Sequence, residues 1–236
     1  ASERWPEART YRDYRKMLDK VADRIDAVVV SAPDHNHAPA AAAAMRLKKH
    51  CYCEKPLTAD VAEADQLVET VGDRLFVMDK WRYQAGVLEL ARLARSGELG
   101  EVQSISLRRV STGNPHPDVS TLWTHMPHDL SMTLEILGEI PPITHAAGEF
   151  VNGSLVGVRA ILGTEPWVGI EVSDGAAEHH RESRVIGSKG VAILAGGCSE
   201  EVLVRRFDGQ DDQVIPAKRE LPLLAELRAF LGHVNG

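Results

Sequence analysis

The chain is poor in cysteine, with three in 236 residues: Cys51, Cys53 and Cys198. That is too few, and an odd number, for the disulfide framework on which small secreted domains depend, so a reducing compartment is expected. An excess of basic residues is also lacking. Lys and Arg number 27 against 34 Asp and Glu, for a net charge of −7, which argues against a nucleic-acid partner whose grip depends on neutralising phosphates. No apolar run reaches the roughly 20 residues needed to cross a bilayer. The opening Ala1-Ser2-Glu3-Arg4 has no signal-peptide character. Internal repeats, low-complexity tracts and obvious flexible linkers are absent too. What remains is a soluble, cytoplasmic globular protein, 44% hydrophobic and long enough to bury two modest cores.

Along the first third, strands and helices alternate. Tyr11, Tyr14, Met17, Leu18 and Val21 recur at helical spacing, and the β-branched run Asp26-Ala27-Val28-Val29-Val30-Ser31 follows. An Ala-rich helix over 38–49, a short strand Cys51-Tyr52-Cys53 and a helix capped by Thr58 come next. That last helix carries Val61, Ala64, Leu67, Val68 and Val71 along one side, and Leu75-Phe76-Val77-Met78 closes the series as a strand. Such alternation describes half of a doubly wound, Rossmann-like parallel sheet with helices on both faces, over residues 1–80.

From 81 to 236 the pattern changes. A helix with Val87, Leu90, Ala91 and Ala94 stops at Ser96-Gly97. Strands are expected at 102–110, 145–151, 155–162, 167–172, 184–186, 191–194 and 202–207. Gly, Asn or Asp turns between most of them suggest a largely antiparallel sheet. One helix interrupts the strands, predicted to open at Pro127 and end at Gly138, and another spans 221–231. The fold class is α/β followed by α+β.

Ligands in open α/β sheets bind just outside the carboxyl ends of the strands. Two segments fall there: Ser31-Ala32-Pro33-Asp34-His35-Asn36-His37 after the first strand, and Glu54-Lys55-Pro56 after the second. The plainer alternative for the first is a turn in which Pro33, Asp34 and Asn36 cap the next helix. For the second it is an exposed charged pair, although Pro56 holds Lys55 extended and could support a cis bond. A metal site built on His35, His37, Cys51 and Cys53 is disfavoured. One-residue spacing departs from the usual zinc knuckle, and small buried thiols on a core strand explain the cysteines.

The stretch Asp26 to His37, the Ala-rich helix, and Lys49-His50-Cys51-Tyr52-Cys53-Glu54-Lys55-Pro56-Leu57 together resemble the signature region of the Gfo/Idh/MocA family of NAD(P)-dependent sugar oxidoreductases. The resemblance implies hydride transfer between NAD or NADP and a hydroxyl of a sugar, sugar derivative or cyclitol, by a homo-oligomer, dimer or tetramer, without metal. It implies that Ser31, Ala32, Pro33, Asp34 and His37 lie along the cofactor. Glu54 and Lys55 would reach the nicotinamide ribose and substrate, with Lys55 catalytic. Asp79-Lys80-Trp81-Arg82-Tyr83 is similar to the segment in which the family places an Arg near cofactor and substrate, here Arg82. Leu122-Trp123-Thr124-His125-Met126-Pro127-His128-Asp129-Leu130-Ser131 resembles its catalytic helix, with the catalytic His at His128. Tyr83, Trp123, His125 and Asp129 would touch substrate.

With Pro127 opening the helix, His128 would stand in its first turn, where the dipole favours a neutral imidazole able to accept a proton. Many relatives carry an Asp four residues before this His, and others one three residues after. This chain has Thr124 and Ser131, for which His125 or Asp129 could compensate. Those departures give some weight to a second class, a non-catalytic dinucleotide or sugar sensor, behind the oxidoreductase. A third is an enzyme with permanently bound NAD and an internal redox cycle that cleaves glycosides. A G-x-G-x-x-G loop and its following acidic residue are missing. A βαβ unit of at least about 30 residues is therefore expected before Ala1, and the chain alone is not expected to hold NAD(P) tightly.

Overall fold

The computed structural model describes residues 4–114, 119–197, 199–218 and 220–236. Cys198 and the first residues of the signal-peptide reading, 1–3, lie outside them. The chain divides into two compact units, Ala1–Met78 with Arg228–Gly236, and Asp79–Leu227.

The first unit is a three-stranded parallel sheet in the order β1 (Ala27–Val30), β2 (His50–Cys53), β3 (Leu75–Val77). Helices α1 (Tyr14–Val21), α2 (His37–Arg46) and α3 (Val61–Val71) alternate with the strands. Alternation along β2 sorts its side chains. Cys51 and Cys53 face a cluster built from Val30, from Ala38, Ala41, Ala44 and Met45 of α2, and from Leu67 of α3. Tyr52 faces the other way, onto Phe76 and Phe230 at ring distances of 5.6 and 5.1 Å. Because the strands are added in one direction only, both right-handed crossovers fall on one face. The second face is covered by Phe230 of the closing helix Pro222–Asn235 rather than by a crossover.

Two details differ from the expected pattern. Asp60, not Thr58, caps α3, accepting the Glu63 amide at 3.1 Å, while the Thr58 hydroxyl donates to the Glu63 carboxylate at 2.5 Å. The apolar stripe of α3 is mostly outside: Leu67 is buried, but Val61 and Val68 are 62% and 55% exposed.

The second unit is an eight-stranded sheet. Its strands are β4 (Val102–Thr112), β5 (Ile143–Val151), β6 (Ser154–Leu162), β7 (Trp167–Ser173), β8 (Gly175–Gly187), β9 (Gly190–Ala195), β10 (Glu201–Arg206) and β11 (Gln213–Pro216). They lie in the order β11-β10-β9-β8-β4-β7-β6-β5, antiparallel except for β4 beside β7. Helices α4 (Ala85–Ser96) and α5 (Thr121–Leu137) cover one face. Val87, Leu90 and Leu93 of α4 and Met126, Met132 and Ile136 of α5 share a core with Ile105, Leu107, Val168, Ile170, Val185 and Leu194 of the strands. Both helices stop as expected at glycines in the left-handed region, Gly97 (φ 76°) and Gly138 (φ 85°). The opposite face carries exposed charges in a ladder, with Arg108 on Glu171 at 3.0 Å and Arg159 on Glu171 and Glu149 at 2.9 and 2.7 Å.

The start of α5 corrects the sequence reading. The helix opens at Thr121, so Pro127 lies inside it and His128 is not in the first turn. The carbonyl of Ser120 accepts the Thr124 amide at 3.0 Å and its hydroxyl at 3.2 Å, closing that first turn without a proline. A helix dipole acts within the terminal turn, so it does not set the protonation of His128. Strand β8 is much longer than expected, and β11 was not foreseen. Among the described residues no helix is long and apolar enough to cross a membrane, and no group of three or more His, Cys, Asp or Glu could hold a metal.

Candidate active site

At the carboxyl edge of the first sheet, β1 ends in the exposed Ser31, Ala32 and Pro33, followed by the half-buried Asp34. β2 ends in Glu54 and Lys55, both half-buried, and the Lys55–Pro56 bond is cis. The Glu54 amide continues the sheet by donating to Val30 at 2.9 Å, and the Glu54 carboxylate accepts the Lys55 amide at 2.7 Å. His37 joins the two loops. It is 1% exposed, with Nδ1 2.7 Å from the Pro56 carbonyl oxygen and Nε2 2.8 Å from that of Ala32. The ring thus faces two backbone acceptors inside the protein. Cys51 and Cys53 behind this edge are fully buried, and burial pushes both thiols up to about 12, which leaves them unreactive.

In the second unit His128 meets a carboxylate from a distant segment: its Nδ1 lies 3.2 Å from Asp79 Oδ2. The side chains are only 13% and 11% exposed. Asp79 Oδ1 accepts the Trp81 amide at 3.0 Å, and the Asp79 amide donates to Glu226 Oε1 at 2.5 Å. The Trp81 ring stands edge-on to His128 at 6.1 Å and lies under the guanidinium of Arg109 at 4.4 Å. Arg82 turns to Glu135, with Nε and Nη2 both 3.3 Å from one carboxylate oxygen. Tyr83 is half-buried, and burial raises its phenol above the ordinary range.

The other residues expected to touch substrate lie along α5. Asp129 is 2% exposed and holds Arg109, itself 4% exposed, at 2.9 Å. His125 is 7% exposed and meets Asp174 Oδ1 at 2.8 Å, while the Thr121 hydroxyl donates to Oδ2 of the same carboxylate. Burial holds the His125 ring below the ordinary imidazole range, and Asp174 opposes that only in part. Trp123 lines an apolar groove of 470 Å³ with Leu122, Met126, Pro127 and Leu130. Asp79, Trp81, Arg109, Asp174 and Glu226 were not singled out from the sequence. Arg109 alternates with Ile105 and Leu107 on the core face of β4, and that alternation was the available signal.

One unit presents two loops at the carboxyl edge of a parallel α/β sheet, the edge at which ligands bind in open α/β folds, and the other carries a buried His–Asp pair. Residues 1–75 match the family model GFO_IDH_MocA, described as "Oxidoreductase family, NAD-binding Rossmann fold". Over those residues, the first third of the chain, it is similar to this family. It is 27% identical over 139 residues to inositol 2-dehydrogenase of Salmonella typhimurium, a match covering 56% of this chain and 41% of that protein. Over 132 residues it is 29% identical to UDP-N-acetylglucosamine 3-dehydrogenase of Acidithiobacillus ferrooxidans, with 56% and 42% covered. Among solved structures, an inositol dehydrogenase homolog from Azotobacter vinelandii, complexed with NADH and myo-inositol, shares the fold with a TM-score of 0.77 at 22% identity, covering 89% of this chain and 62% of that one. The chain therefore spans less than two thirds of each of these relatives.

Proposed function

We propose that the natural gene product is an oxidoreductase that moves a hydride between nicotinamide and a hydroxyl-bearing carbon of a sugar, sugar derivative or cyclitol. The observation that carries this reading is the carboxyl edge of the first sheet, where His37 ties the Ala32 and Pro56 loops together. Residues 1–80 form the dinucleotide-binding part and 81–236 the substrate-binding and oligomerisation part. The residues present fit the nicotinamide-ribose end of NAD or NADP. The exposed Ser31, Ala32 and Pro33 leave backbone open to close approach, and Glu54 and Lys55 add an acceptor and a donor. When bound, the cofactor supplies the redox chemistry.

The chain's own residues manage position and protons. Lys55 orients the reacting hydroxyl and exchanges its proton, and His128 accepts a proton as base. Ser31, Ala32, Pro33, Asp34 and Glu54 line the cofactor, and His37 supports them from inside. Arg82 lies near cofactor and substrate, and Tyr83, Trp123, His125 and Asp129 serve substrate binding. The inositol and UDP-N-acetylglucosamine dehydrogenase relatives support a polyhydroxylated substrate. The protein assembles as a homo-oligomer.

The test is a panel of sugars, nucleotide sugars and cyclitols assayed with NAD and NADP by absorbance of the reduced nicotinamide, alongside Lys55→Met. The variant should lose about 100-fold or more in turnover, the range of a general acid–base group, with the fold intact. Activity within a few-fold of the natural protein would remove Lys55 from its role, and no turnover across the panel would overturn the reading.

A further inference from the structure

The helix that carries His128 offers it no carboxylate within a turn on the positions where one was sought. Thr124 bonds back to the Ser120 carbonyl at 3.2 Å, and Ser131 bonds the carbonyl of His128 itself at 2.8 Å. Asp129 faces Arg109. The carboxylate arrives from Asp79 instead, across 49 positions of sequence. We infer that Asp79 is the positioning residue of His128, and that Glu226 holds Asp79 in place. The inference rests on the proposed function for the meaning of the base, but its geometry is independent of the substrate.

Asp79 is pinned at three atoms. Oδ2 lies 3.2 Å from His128 Nδ1, Oδ1 accepts the Trp81 amide at 3.0 Å, and the backbone amide donates to Glu226, which is 0% exposed. Capping the turn Lys80–Tyr83 commits one carboxylate oxygen to the backbone and aims the other at the imidazole. An ionised carboxylate can only accept, so Nδ1 must be the protonated ring nitrogen. Nε2 then carries the lone pair. A substrate O–H proton passes to Nε2, the ring becomes an imidazolium, and Asp79 stays ionised and offsets the new charge. The Trp81 ring stands edge-on to the imidazole at 6.1 Å. Glu226 acts one step further back: without its carboxylate the Asp79 amide loses its buried acceptor, and the start of the capped turn is freed.

The experiment reads the tautomer directly. Long-range ¹H–¹⁵N spectra of the ¹⁵N-histidine-labelled chain are recorded near pH 8, above the ordinary histidine pKa of about 6.5. His128 is assigned by its loss in His128→Asn. In the unmodified chain the proton is expected on Nδ1. In Asp79→Asn the carboxamide can donate to Nδ1, so the proton should move to Nε2, whereas Asp79→Glu should keep it on Nδ1. In the natural gene product Asp79→Asn should lower kcat by about 100-fold or more with KM within a few-fold, and Asp79→Asn/His128→Asn should be no worse than His128→Asn alone.

A proton on Nε2 in the unmodified chain overturns the inference, even if Asp79→Asn fails to fold. So does a tautomer that Asp79→Asn leaves unchanged. Absence of all sugar and cyclitol turnover would sink the proposed function, whereas the tautomer result stands or falls by itself.

Discussion

The two units hold their chemistry-bearing side chains by different means. In the first, His37 bonds backbone carbonyls of loops next to it in the sheet, and Glu54 bonds the amide of the following residue. In the second, ionisable side chains hold one another: Asp79 on His128, His125 on Asp174 and the ion pair Arg109 on Asp129. The consequences of damage differ accordingly. A carbonyl that loses its partner costs the desolvation of one neutral group. An ion that loses its partner leaves a charge stranded in low dielectric, which is several times worse.

The largest expected effect therefore lies in the second unit. Asp129→Ala should destabilise it by about 3–5 kcal/mol, because Arg109 would be left buried and uncompensated. Adding Arg109→Met should recover most of the loss, since an apolar pair of similar volume tolerates the core. Urea unfolding of the two variants makes the measurement, and a double variant no better than the single one would break the contrast.

His37→Leu should cost less, about 1–3 kcal/mol, the range for leaving buried carbonyls unpaired. It should act on the first unit, with faster amide exchange in the Ala32 and Pro56 loops. A loss matching that of Asp129→Ala would show that the two modes of anchoring are energetically alike.

The smallest effect concerns pH. Burial lowers the His125 pKa in the folded protein, so below the unfolded value of about 6.5 the unfolded chain binds the extra proton first. Stability from this residue is complete above that pH and falls as pH drops through the unfolded value toward the folded one. The urea midpoint should decline below about pH 6.5 in the natural chain and decline less in His125→Asn. A profile as steep in the variant would assign the pH dependence to other groups.

Much of the first unit was legible because parallel sheets announce themselves locally. Cys51 to Cys53 is a short buried run, Val30 beside it is buried while Val29 is 59% exposed at the open edge of the sheet, and the candidate loops follow directly from strand ends. The second unit was harder. Pro127 was read as a helix start because proline favours that position, yet Ser120 and Thr121 provide an earlier start that was available as an Ser/Thr capping signal. Asp174 has no local signal that marks it as buried, yet it is 8% exposed because Thr121 and His125 converge on it. Strand β8 runs well beyond the expected 184–186, because pairing with β4 carries His180, Arg181 and Glu182 into the sheet.

By itself, the sequence determined the class of fold, the family resemblance and the segments in which chemistry would lie, since strand runs, helix stops and the loops after parallel strands are encoded within a dozen or so residues. Only the tertiary structure decided which ionisable groups meet. Asp79 reaches His128, Arg109 reaches Asp129 and Asp174 reaches His125 across separations of 49, 20 and 49 positions. No periodicity spans such distances. Packing selects these pairs because a buried charge is tolerated only where the fold delivers its partner.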